Sequence, residues 1–280
     1  MTYRTILAVL TCHADVDAII DATLKLPAGR DVHIIGCHGE PSQFVIMSAP
    51  IDVPDVATLT MLYEEADQRM TALGAAFSEA CLREGVAFEW RPIRTPGGDS
   101  ATSALTSART ADLVIVRQPD AETENAPETD FKALLFEGGR PVLLLGSDGV
   151  FNGPPKRVLI AWDGSREASR AVHDAMPFLK TAESVHILII NPSKLPDIDR
   201  PTPGQDLATN LDRHGIKTSI DVIGCSVRST SQVIEAHIKV TQADMLVMGA
   251  YTHQRIREWL FGGVTRDIMD TVSVATLLSR

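Results

Sequence analysis

Several common signatures are missing from this 280-residue sequence, and each absence closes off a class of function. No apolar run approaches the roughly 18 residues that a membrane-spanning helix requires. The opening MTYRTILAVLTCHAD lacks the basic region, apolar core and small-residue cleavage site of a secretory leader. Four cysteines, Cys12, Cys37, Cys81 and Cys225, form no CxxC and no disulfide framework, so reduced thiols are expected. There is no GxSxG elbow, no HExxH and no GxxxxGKS or GxxxxGKT, which leaves serine hydrolase, zinc protease and P-loop NTPase readings without a motif. Positive charge is scarce in the first half: residues 1–150 carry 11 Lys and Arg against 22 Asp and Glu, and the remainder 15 against 14. An acidic first half argues against nucleic acid or an anionic membrane as partner, because both are polyanions. A soluble, cytoplasmic protein is the expectation.

What is present is alternation. Apolar strands at 4–10, 31–37, 86–92, 112–118 and 141–146 alternate with helical runs at 16–26, 58–84, 100–110 and 131–137, the pattern of a parallel sheet covered by helices. After the Gly- and Pro-rich GSDGVFNGPPK (146–156) the order begins again. Strands fall at 157–163, 184–191, 217–224, 244–250 and 272–279, and helices at 166–180, 204–215, 229–241 and 257–271. RTILAVLTC lines up with RVLIAWDGS, and ADLVIV with ADMLVM. The fold expected is α/β: two tandem, doubly wound, five-stranded units, flavodoxin-like or Rossmann-like, over 1–147 and 156–280.

With strand order 3-2-1-4-5 in each unit, ligands belong at the carboxyl ends of the first and fourth strands, where the order reverses. In the second half those strands end in Trp162-Asp163-Gly164-Ser165 and Met248-Gly249-Ala250-Tyr251-Thr252. Asp163 can accept from an adenine amine or a ribose hydroxyl, Gly249 lets backbone approach a ligand, and Gly262-Gly263-Val264-Thr265 can aim N–H groups and a hydroxyl at phosphates. Bland readings stand beside these: Asp163 as a helix cap, and a glycine after a strand as a turn.

At these residues the chain resembles the universal stress protein family in tandem form. Asp163-Gly164-Ser165 matches the family's first element, and Gly249, Gly262, Val264 and Thr265 match its second. Thr252 stands where the family has a second glycine, and Gly263 where it has Ser or Thr. The resemblance implies an adenine nucleotide such as ATP, with Mg2+, and places Ile189 and Met248 on the adenine side. It also implies an intramolecular pseudo-dimer paired through the final strands, 141–146 and 272–279, with a further homodimer open. In the first half the letters set Leu10-Thr11-Cys12 against Asp163-Gly164-Ser165. Val116 is followed by RQPDAETENAPETD, whose carboxylates would repel a triphosphate; no nucleotide is expected there. Cys12-His13 and Cys37-His38 end neighbouring strands and form a weak candidate soft-metal set. The functions that follow are a stress-response protein with one nucleotide site acting as sensor or binding module, a nucleotide-independent interaction protein, or a slow ATPase. The last lacks an evident base or metal-binding carboxylate cluster beyond Asp163.

Overall fold

The computed structural model describes residues 2–41, 56–95, 98–118, 131–192, 204–224, 228–250 and 273–280. The chain forms two compact units, one built on Tyr3–Leu24 and Ala28–Arg140 and the other on Pro141–Arg280 with Met1–Thr2 and Lys25–Pro27.

In the first unit, β1 (Thr5–Val9), β2 (His33–Pro41), β3 (Ala87–Thr95) and β4 (Leu113–Arg117) alternate with α1 (His13–Leu24), α2 (Val56–Glu84), α3 (Ser100–Ala108) and α4 (Phe131–Glu137). The strands are parallel in the order β3-β2-β1-β4. Helices α1 and α2 pack together, as do α3 and α4. The central strands TILAV and LVIVR are apolar almost throughout because helices cover both sheet faces. β3 lies at the end of this order, where Pro92, which has no N–H to give, is tolerated. Gly138 and Gly139 end α4: the Gly138 N–H donates to Leu134 O at 3.0 Å, and Gly139 takes φ 65°.

The second unit contains β5 (Val142–Leu145), β6 (Arg157–Ala161), β7 (Ser184–Ile190), β8 (Thr218–Ile223), β9 (Met245–Gly249) and β10 (Ala275–Ser279). Its helices are α5 (Arg166–Asp174), α6 (Met176–Leu179), α7 (Gln205–Arg213) and α8 (Thr230–Thr241). Strands β8-β7-β6-β9-β10 are parallel and follow the 3-2-1-4-5 order in full. β5 joins antiparallel on β10, Leu144 opposite Thr276 and Val142 opposite Leu278. The helix expected over 166–180 is broken into α5 and α6, because Pro177 cannot supply the amide that would continue the ladder. The helix expected at 257–271 lies outside the described residues.

The strand registers correct the alignment of the repeats. Ile6 pairs with Leu113 as Val158 pairs with Met245. Asp112 accepts from the N–H groups of Arg4 and Thr5, and Asp244 from those of Lys156 and Arg157. Beyond the strands, Leu10 N–H donates to Cys37 O as Trp162 N–H does to Leu188 O. Thr11-Cys12-His13 therefore stands at the place of Asp163-Gly164-Ser165, one residue later than the matching of letters suggests. The same registers place His38 at the position of Ile189, Glu40 at that of Asn191 and Arg117 at that of Gly249.

Candidate functional site

The crevice of the second unit opens where β6 and β9 end, with Ala161 paired to both Leu188 and Met248. Past β6, Gly164 takes φ 75°, a left-handed conformation that glycine adopts without strain, and turns the chain into α5. Ser165 is the N-cap: its Oγ accepts from Ala168 N–H at 3.1 Å. Asp163 stands behind it, accepting from the Ser165 N–H at 3.0 Å and the Ser165 hydroxyl at 2.5 Å, both on Oδ1. Asp163 is thus not the cap but the group that orients it. Among the described residues no donor reaches its other carboxylate oxygen, and the residue is only half-buried.

Met248 is 6% exposed and Ile189 is fully buried, with its Cδ1 beneath Gly204, so both are part of the core. Gly249 has a definite packing reason. A Cβ there would lie 2.4 Å from Ala168 N and 2.9 Å from Glu167 Cβ, so the first turn of α5 needs this position bare. That turn brings Glu167 to the end of β9. The Glu167 side chain is 9% exposed, and its Oε1 accepts from Arg166 Nε at 3.1 Å and Nη2 at 2.7 Å. Thr252, Gly262, Gly263, Val264 and Thr265 lie outside the described residues.

The same crevice in the first unit is filled by its own charges, which the sequence reading missed. Asp15, in the first turn of α1, has a side chain 3% exposed. Its Oδ2 accepts from Thr11 N–H (2.7 Å), the Thr11 hydroxyl (2.6 Å) and Cys12 N–H (3.1 Å), while Oδ1 accepts from Arg117 Nη1 (3.0 Å). Beside it, His38 Nδ1 lies 2.8 Å from Leu10 O, which can only accept, so Nδ1 carries a proton. Nε2 faces Glu40 Oε1 at 3.3 Å, and the ring stacks on Trp90. Arg69 of α2 grips both Glu40 oxygens at 3.0 Å. Burial drives the Glu40 carboxyl upward, but hydrogen bonds from His38 and Arg69, with their charges, outweigh it and hold it down at about 2.

The weak metal set is not assembled. Cys12 and His13 are exposed, whereas Cys37 is buried and its thiol is pushed up to about 12 by burial against the lowering charge of Arg91. Both His38 nitrogens face oxygen atoms of Leu10 and Glu40. Among the described residues no group of three or more His, Cys, Asp or Glu side chains is placed to hold a metal ion. The acidic stretch 119–130 lies outside the described residues. The signal that could have exposed the first unit's plug was Arg117, a long cation at the end of an apolar strand, where the repeat has glycine. Among the described residues no helix is long and apolar enough to cross a membrane.

The universal stress protein family model matches residues 154–280. The chain also resembles a solved universal stress protein from Archaeoglobus fulgidus, with TM-score 0.68 and 15% identity over 99% of this chain and 98% of that one. A functionally unknown protein from Pseudomonas aeruginosa superposes with TM-score 0.53 and 14% identity, over 99% and 92% of the two chains. At these identities the likeness is one of fold, and it runs through both repeats. No curated protein matches the sequence. Residues 154–280 thus match the universal stress protein family, and the fold of the whole chain, built twice over, is that of the solved Archaeoglobus fulgidus protein.

Proposed function

We propose that the second unit binds an adenine nucleotide, ATP with Mg2+ in the first instance, where β6 and β9 end, and that the protein works as a sensor or binding module. The observation that carries this reading is Asp163: a half-buried carboxylate at the switch in strand order, one oxygen pinned by Ser165 and the other without a donor among the described residues. Such an acceptor suits an adenine amine or a ribose hydroxyl. The phosphate side falls, by family resemblance, to Gly262, Gly263, Val264 and Thr265, with Thr252 in place of a glycine. The charge-filled crevice of the first unit favours a different role for that unit, as a folded partner without a nucleotide.

Mass spectrometry of protein purified without added nucleotide, together with a thermal shift in ATP and Mg2+, tests the reading. Bound adenine nucleotide or a rise in Tm supports it, and no bound nucleotide with no shift at millimolar ATP sinks it. Asp163→Ala is expected to weaken ATP about tenfold or more, the loss of a charge-assisted hydrogen bond in a partly shielded site. Phosphate release above a buffer control, abolished by the same substitution, is the result that adds a slow ATPase activity.

A further inference from the structure

We infer that Arg166 sets the charge of the second unit's crevice, so that an anionic ligand enters only because Arg166 neutralises Glu167. This rests on the nucleotide reading above and names what selects the ligand's charge. Three observations carry it. Glu167 is buried and reaches the end of β9, its Cβ 2.9 Å from where a Gly249 side chain would begin. Its carboxylate is held by both Nε and Nη2 of Arg166. Arg166 itself stands at the first position of α5, where the partial positive charge of the helix end disfavours a cation, so helix stability does not account for it.

The first unit supplies the control. Asp15 occupies the position of Glu167, since Asp15, Val16, Ile19 and Ile20 are buried in α1 as Glu167, Ala168, Ala171 and Val172 are in α5. There the buried acid is neutralised by Arg117, which comes from the end of β4, the strand position that Gly249 holds in the second unit. Both units neutralise this acid, but only the second does so with a cation from its own helix, 75% exposed, and keeps the strand end bare. Remove Arg166 and the crevice presents an uncompensated carboxylate to the incoming phosphates.

Calorimetric titration of the full chain with ATP and with adenosine, in the parent, Arg166→Ala, Glu167→Gln and the double variant, tests this. Arg166→Ala is expected to weaken ATP at least tenfold while moving adenosine less than twofold, and the double variant to return ATP to within about threefold of the parent. Arg166→Ala binding ATP like the parent overturns the inference. So does an equal loss of ATP and adenosine, or a double variant that fails to recover ATP. In each of those cases a parent that still binds both ligands leaves the nucleotide reading standing. A parent that binds neither overturns both. Unchanged melting of the single variants without ligand separates a charge effect from a folding defect.

Discussion

Five positions surround the crevice in each unit, and the two sets answer the same backbone geometry in opposite ways. In the first unit they are Thr11, Asp15, His38, Glu40 and Arg117; in the second they are Asp163, Glu167, Ile189, Asn191 and Gly249. The first set closes on itself. Asp15 is held by Arg117 and two backbone amides, and Glu40 by His38 and Arg69, so the carboxylates already have their counter-charges. The second set is apolar beneath, bare at Gly249, and ends in a carboxylate, one oxygen of which meets no donor among the described residues. A doubly wound sheet offers a crevice wherever its strand order reverses, but whether that crevice takes a ligand or becomes an internal joint is decided by a few side chains. In the first unit a long cation, Arg117, stands where the second has Gly249, and the crevice there closes on an ion pair.

The comparison can be broken at either crevice. The largest effect is expected from Arg117→Ala, which strands the buried Asp15 carboxylate and should cost about 3 kcal/mol in denaturant unfolding. Next is Gly249→Ala, whose Cβ would press 2.4 Å from Ala168 N and push α5 off the strand end, at about 2 kcal/mol. Its counterpart position already carries an arginine side chain, so the cost measures how much closer the helix packs in the second unit.

Glu40→Gln should cost roughly 2 kcal/mol at neutral pH, discounted because Arg69 is more than half exposed. The Glu40 carboxyl is depressed in the folded state, so its contribution is complete above about 4.5 and is lost as pH falls toward about 2. The gap between parent and Glu40→Gln should therefore narrow across that window in acid denaturation; a gap that stays constant removes Glu40 from the linkage. The smallest effect on stability is expected for Arg166→Ala, within about 0.5 kcal/mol, because that guanidinium is largely in water. A loss comparable to that of Arg117→Ala would show that the two cations do the same structural work.

Most of the element order was legible because each central strand is a short apolar run and each helix an amphipathic one; SVHILIIN and STSQVIEAHIKVT read correctly at sight. Alignment of the repeats was less legible. Arg4 and Arg157 invite pairing as letters, yet the carboxylates of Asp112 and Asp244 show Thr5 to be the partner of Arg157. That one-residue slip hid the equivalence of Thr11 and Asp163. The Asp15–Arg117 pair was illegible for another reason: its members are 102 residues apart and join only when β1 and β4 become neighbours. Asp163 was found from its place after a strand, but its engagement with Ser165 needed the turn geometry that Gly164 supplies.

The antiparallel pairing of β5 with β10 also orders events in time. Leu144 meets Thr276 across some 130 intervening residues. At a synthesis rate of roughly 5–20 residues per second, β5 leaves the ribosome on the order of ten seconds before its partner strand exists. During that interval the edge of VLLL that will meet β10 has no partner and is open to a neighbouring nascent chain. Slowing translation between the repeats should lengthen that exposure and lower soluble yield without changing the stability of the finished protein.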